Sequence, residues 1–171
     1  LRLVSIVLAA LLTPYLPTTA TTIHVPDDQP TIQAGINEAS AGDTVLVACG
    51  TYYEHDISMK SGVCLASETG HPECVTIDAQ QLGTVLYCGG TDSPTSMVGF
   101  TITGGLATDP SHDYRGGGMS CSTSSSPTLT DCTFSGNEAG FDGGGMYCYS
   151  ASATLVGCTF SGNVADYGAG M

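Results

Sequence analysis

The chain has no tryptophan, and only three of its 171 residues are lysine or arginine. One of these, Arg2, precedes an apolar run; the others are Lys60 and Arg115. All sixteen acidic residues follow position 20, so the rest of the chain sets sixteen negative charges against two positive ones, a formal charge near −14. Such a surface repels phosphate backbones and anionic lipid, which argues against nucleic acid as a partner. No apolar run is long enough to cross a bilayer, so no transmembrane segment is expected. Among the eight cysteines there is no Cys-x-x-Cys spacing, so a zinc cluster is not indicated.

What is present at the start reads as an export signal. Arg2 gives a basic beginning, and Leu3 to Leu12 is apolar except for Ser5. Thr18-Thr19-Ala20 then offers small residues for cleavage. Residues 1–20 are therefore expected to be a signal peptide, and the protein to be secreted or displayed at a cell surface. Pro14 and Pro17 oppose a buried helix or central strand there. About 150 residues follow, enough for one domain. All eight cysteines lie in that part, and an even count in an exported chain permits disulfides.

The chain repeats itself. Phe134-Ser135-Gly136-Asn137 returns as Phe160-Ser161-Gly162-Asn163, and Cys132 returns as Cys158, 26 residues on. Gly116-Gly117-Gly118-Met119 returns as Gly143-Gly144-Gly145-Met146, then as Gly168-Ala169-Gly170-Met171. A fixed period of this size marks stacked units, none able to bury its apolar face alone. Within them Val75/Ile77, Phe100/Ile102, Cys132/Phe134 and Cys158/Phe160 form one inward-facing column of pairs. Leu86/Cys88, Met119/Cys121 and Met146/Cys148 form a second. The interval from Ile102 to Phe134 is longer than the others, and the surplus falls in residues 104–115.

Leucine-rich, helical and calcium-nonapeptide repeats each need residues that are absent, which leaves an all-β solenoid, a parallel β-helix. Ahead of it, residues 21–50 are expected to form an N-terminal cap of strand, helix and strand, with the helix over Pro30 to Ala41 and Asp27-Asp28 capping its start. Residues 51–171 are the coils. Gly105, Asn137 and Asn163 align at a corner expected to be left-handed, with the asparagine amides bonding from coil to coil. The chain stops inside a Gly-rich corner, so further coils or an anchoring domain are expected beyond Met171.

Several stretches carry a resemblance. Ile23-His24-Val25-Pro26-Asp27-Asp28, Pro30-Thr31-Ile32-Gln33-Ala34, Gly42-Asp43-Thr44-Val45-Leu46-Val47 and Gly50-Thr51-Tyr52-Tyr53-Glu54 resemble the opening of secreted bacterial right-handed parallel β-helix proteins of the pectin-lyase-like superfamily. The Phe-x-x-Asn and Gly-Gly-x-Met pairs are similar to the repeats of chlamydial polymorphic outer-membrane proteins. The resemblance implies a right-handed coil whose open end is plugged by the helix. For activity it is non-committal, because the superfamily includes lyases, hydrolases, adhesins and inert shafts. Its lyases use calcium with an Arg or Lys base, and its hydrolases use separated aspartates. The Trp-containing lyase motif is absent here, as is the hydrolase arrangement of Asn-Thr-Asp, Asp-Asp and Gly-His-Gly.

Candidate sites are few. Asp109, His112, Asp113, Tyr114 and Arg115 crowd the longest loop, where a rigid scaffold would present a binding surface. Asp113, Asp142 and Asp166 each precede a Gly-rich corner and are the candidate calcium ligands. His24, His55 and His71 read as turn residues; His55 and Asp56, as strand neighbours, would point to opposite faces. Cys64–Cys74 is the first candidate disulfide. Cys121 with Cys148, and Cys132 with Cys158, either bridge across adjacent coils or stack inward as thiols. The expected role is an exported structural, adhesive or glycan-contacting segment without catalysis, facing a polysaccharide or a host or cell surface, with no cofactor other than calcium. The alternative is a polysaccharide lyase or glycosidase whose catalytic residues lie in further coils.

Overall fold

The computed structural model describes residues 19–90, 94–108 and 115–171. All but two of the predicted signal residues lie outside that range. In chain order the elements begin with β1 (Thr22–Val25), α1 (Ile32–Glu38), β2 (Thr44–Val47), β3 (Gly50–Tyr52), β4 (Ile57–Ser58) and β5 (Cys64–Ser67). Next come β6 (Val75–Asp78), β7 (Leu86–Gly89), β8 (Ser96–Val98), β9 (Phe100–Thr103), β10 (Leu106–Ala107) and β11 (Met119–Ser122). The last are β12 (Thr128–Thr130), β13 (Thr133–Ser135), β14 (Glu138–Ala139), β15 (Met146–Tyr149), β16 (Thr154–Val156) and β17 (Thr159–Ser161).

Every named strand pair is parallel, and the strands interleave into stacked sheets ordered β1-β2-β5-β8-β12-β16, β3-β6-β9-β13-β17 and β4-β7-β11-β15, with β10-β14 beside them. The chain is an all-β solenoid with one short helix. Both predicted columns occur in register. Ile77 pairs Ile102, Ile102 pairs Phe134, and Phe134 pairs Phe160. Leu86, Met119 and Met146 align, as do Cys88, Cys121 and Cys148. A third column, Val45-Leu65-Met97-Leu129-Leu155, runs down the longest sheet. Phe100, Ile102, Phe134, Leu65 and Leu129 are buried in one contiguous core. Alternation of buried and half-exposed positions along β2, β5, β6 and β9 is the period-two pattern that turns these short runs into strands.

The N-terminal region has the order strand, helix and strand, and β1 and β2 are also the first members of the longest sheet. The helix is shorter than the Pro30–Ala41 span: Thr31 is its N-cap, accepting a hydrogen bond from Ala34 N at 3.1 Å. The Glu54 carboxylate accepts from Ile32 N (2.8 Å) and Gln33 N (3.1 Å), satisfying two orphan donors of the first turn. Asp28 does not cap this helix; it accepts from His24 N at 2.8 Å and closes the turn after β1. α1 packs against β1, β2 and β4, with Ile32 and Ile36 buried. β1, β3 and β4 are the terminal strands of their sheets, so the helix covers that end of the stack. The close approach is possible because Gly35 has no side chain: a Cβ there would lie 2.9 Å from Val45 Cγ1.

The Asn corner forms a ladder. Asn137, fully buried, accepts from Gly105 N at 2.9 Å and donates through Nδ2 to Asn163 Oδ1 (3.1 Å) and to the Ile102 carbonyl (3.0 Å). Asn163 Nδ2 repeats the last contact one coil on, to Phe134 O at 3.0 Å. The left-handed residue, however, is the one before: Gly104, Gly136 and Gly162 have φ of 65°, 63° and 61°. Gly105 is needed for space, since a Cβ would fall 2.0 Å from the Gly117 carbonyl oxygen. The Gly-Gly-Gly-Met corner is close-packed, its backbone bonding from coil to coil between Gly118 N and Gly144 O (3.0 Å) and between Met119 N and Gly145 O (2.9 Å).

Candidate functional site

Two exposed aromatic side chains, Phe141 and Tyr167, meet where successive coils turn into the Gly-rich corner. Gly116 N donates to Asp142 O (3.0 Å) and Gly143 N to Tyr167 O (3.1 Å), which sets Arg115, Asp142 and Tyr167 one above another as the residues preceding each corner. Asp142 and Tyr167 form a parallel bridge. Within this column Arg115 Nε lies 2.9 Å from Asp142 Oδ2. The guanidinium also stands over two rings, 5.4 Å from the centroid of Phe141 and 5.2 Å from that of Tyr147. Tyr167 meets Phe141 edge-on, centroids 5.5 Å apart. Phe141 is 45% and Tyr167 64% exposed, so the cluster presents ring faces to solvent around a half-buried ion pair.

Beside it opens a cavity of about 670 Å³, whose lining includes Asp142, Tyr147, Cys148, Leu155, Tyr167 and Met171. A smaller groove of about 270 Å³, lined by Asp56, Gln81, Thr84, Tyr87 and Thr108, lies on the coil from which the long loop departs. Such an assembly offers a carboxylate and a guanidinium for hydrogen-bonding hydroxyls, with flat apolar rings on either side. It supplies a contact surface of flat rings and paired charges.

The predicted site residues fare unequally. Asp109, His112, Asp113 and Tyr114 lie outside the described residues. Arg115 is brought into the aromatic cluster. Of the candidate calcium ligands, Asp113 is outside the described residues, Asp142 is ion-paired with Arg115, and Asp166 sits one residue out of register because Tyr167 is the neighbour of Asp142. Among the described residues no group of three or more His, Cys, Asp or Glu side chains gathers in a way that could hold a metal ion. His55 and Asp56 do meet, with Nδ1 and Oδ2 2.8 Å apart. The expectation that they diverge fails because Asp56 is left-handed (φ 56°) in a turn, so strand alternation does not apply. Lys60 is committed to the fold: its ammonium donates to the carbonyls of Asn37 and Ala39 at the end of α1.

The disulfide expectation is corrected. Cys74 is bridged to Cys49, with Cα atoms 4.6 Å apart, and Cys64 is free. The reason is register: β3 pairs β6 with Gly50 opposite Val75, so the preceding residues, Cys49 and Cys74, are neighbours. Cys64 lies on β5 of another sheet, between Thr44 and Ser96. Cys121, Cys148, Cys132 and Cys158 are unbridged thiols, the second of the two readings open to them. Burial pushes the Cys132 thiol up to about 12, and its Sγ donates to Thr130 O at 3.3 Å.

No protein-family model matches this chain, and no curated protein or solved structure matches it either.

Proposed function

We propose that this chain is an exported, right-handed parallel β-helix segment of an extracellular or cell-surface protein, kin to the pectin-lyase-like β-helices, that contacts a polysaccharide through its outer corner without catalysing a reaction. The observation that carries this reading is the Arg115–Asp142 pair held among Phe141, Tyr147 and Tyr167. Ring faces stack on the C–H faces of sugars, and a fixed carboxylate with a guanidinium takes the hydroxyls. The apolar run Leu3–Leu12 and the Cys49–Cys74 bridge suit export. The formal charge near −14 disfavours polyanionic glycans, which makes a neutral polysaccharide or a cationic surface the better partner. Both basic residues beyond Arg2 are already engaged, Lys60 at the helix end and Arg115 with Asp142, which favours binding over a lyase's base chemistry. Calcium is not required in this reading, since Arg115 supplies the positive charge beside Asp142.

The test is binding to a panel of immobilised neutral and acidic polysaccharides, with product release followed in parallel. Neutral glycans should be retained without bond cleavage. Phe141→Ala and Tyr167→Ala should each weaken retention about 3- to 10-fold, the worth of one stacked ring. Retention indifferent to both substitutions, or turnover of the bound glycan, would overturn the reading.

A further inference from the structure

Among the described residues, Asp43 is the one charged side chain that the fold buries (9% exposed). A buried charge calls for an opposite charge or a full set of donors. Three donors reach this carboxylate. Thr21 N lies 2.7 Å from Oδ1, Ser40 N lies 2.8 Å from Oδ2, and the Thr21 hydroxyl adds a third bond. Lys60 acts on it through space, its own ammonium being held by the carbonyls of Asn37 and Ala39.

Thr21 is also the first residue after the expected export signal. Thr18-Thr19-Ala20 supplies the small residues before it, and Ala20 and Thr21 are both exposed. Cleavage between them would turn the Thr21 amide nitrogen into an α-ammonium at the same place. Thr21 would not have to move. Its carbonyl accepts from Thr44 N at 2.9 Å, and the next residue, Thr22, is in register with Thr44 on β2.

We propose that Ala20–Thr21 is the processing bond and that the ammonium freed there pairs with Asp43, so that export locks the first coil of the solenoid. This rests on the reading of the chain as exported. The cut is a hydrolysis by the exporting cell's signal peptidase. One water is consumed, Ala20 keeps the new carboxylate, and Thr21 keeps the amine, which takes up a proton. A full positive charge then stands where the amide N–H now meets Oδ1, and an opposite charge that close raises the proton affinity of an amine. An amine raised in the folded state adds stability that is complete below its unfolded value, about 7.7–8.0, and is lost as pH rises through the folded value. Lys60, and Cys64 on β5, whose N–H donates to the Asp43 carbonyl (3.0 Å), are the titratable neighbours, and cleavage alters neither.

The full chain is expressed in an exporting bacterium and the exported product is weighed intact. It should comprise residues 21–171. Labelling of that product with acetic anhydride across pH, read on its N-terminal peptide, should show Thr21 holding its proton at least about tenfold more tightly than an ordinary α-amine. Asp43→Asn, exported the same way, should return it to the ordinary value. The melting temperature of the product should fall between about pH 8 and 10 more steeply than that of the uncut full chain, in which Thr21 N is an amide. That comparison keeps Asp43 in both proteins, so it decides the matter even if Asp43→Asn folds poorly. A chain that stays inside the cell uncut would overturn the export reading, and this one with it. An exported chain cut at another bond, an ordinary Thr21 titration, or parallel alkaline melting curves would overturn this inference alone.

Discussion

Phe134 and Phe160 stack face to face across one coil, ring centroids 4.9 Å apart and planes within 5°. The spacing is that of adjacent strands, so the rings record the repeat of the backbone itself. Phe134 is fully buried and Phe160 only partly. Phe134→Ala is therefore expected to cost about 3–5 kcal/mol, and Phe160→Ala clearly less, in urea unfolding. Equal costs would mean that the two rings do not share this asymmetric setting.

Asn137 serves two coils at once. Removing its amide leaves Gly105 N and the Ile102 carbonyl buried without their partners, at about 1–3 kcal/mol for each group. Asn163→Ala acts nearer the surface and is expected to cost less. Hydrogen exchange should show Gly105 N losing protection in Asn137→Ala and keeping it in Asn163→Ala.

The Cys49–Cys74 bridge closes a loop of 25 residues. Cys49→Ser should lower stability by about 2–4 kcal/mol, while Cys64→Ser should change it little. Peptide mapping under non-reducing conditions should recover Cys49 joined to Cys74. A Cys64–Cys74 peptide would contradict the register of β3 on β6.

Asp43 anchors the first coil by accepting hydrogen bonds from Thr21 N (2.7 Å) and Ser40 N (2.8 Å). These bonds, led by the one from Thr21, hold its carboxyl below the usual 3.8. A carboxyl depressed in the folded state adds stability above its unfolded value, and that stability is lost as pH falls through the folded value. The melting temperature should drop as the pH is taken below about 4, and Asp43→Asn should flatten that slope. An unchanged slope in the variant would remove Asp43 from the acid response.

Much of the fold is legible because the chain repeats phrases. Phe-Ser-Gly-Asn and Gly-Gly-Gly-Met fix the phase of two columns, and period two does the rest. Val45-Leu65-Met97-Leu129-Leu155 escapes notice because no shared phrase marks it, although its residues alternate just as well. The left-handed corner is displaced by one residue for a readable reason. Glycine stands at positions 104, 136 and 162 in all three copies, whereas the next position varies between glycine and asparagine. The Cys49–Cys74 pairing follows the same 25-residue step as Ile77 to Ile102, but β3 carries Gly-Thr-Tyr and offers no aliphatic marker to align. At the candidate site, counting back one residue from each glycine corner yields Arg115, Asp142 and Tyr167. Counting by residue type, aspartate with aspartate, leads instead to Asp113, Asp142 and Asp166. The aromatic cluster depends on side chains from three coils meeting at a corner, and only the pitch of the coil brings them together.

The central claim is that each coil lies directly above the last with Ser135 opposite Ser161. Engineered cysteine pairs test it most directly. Ser135→Cys with Ser161→Cys should form a bridge under mild oxidation, recovered as a single linked peptide. Ser135→Cys with Thr159→Cys, two residues out of register, should not. Efficient linkage in the second pair, or none in the first, would contradict the stacked-coil account.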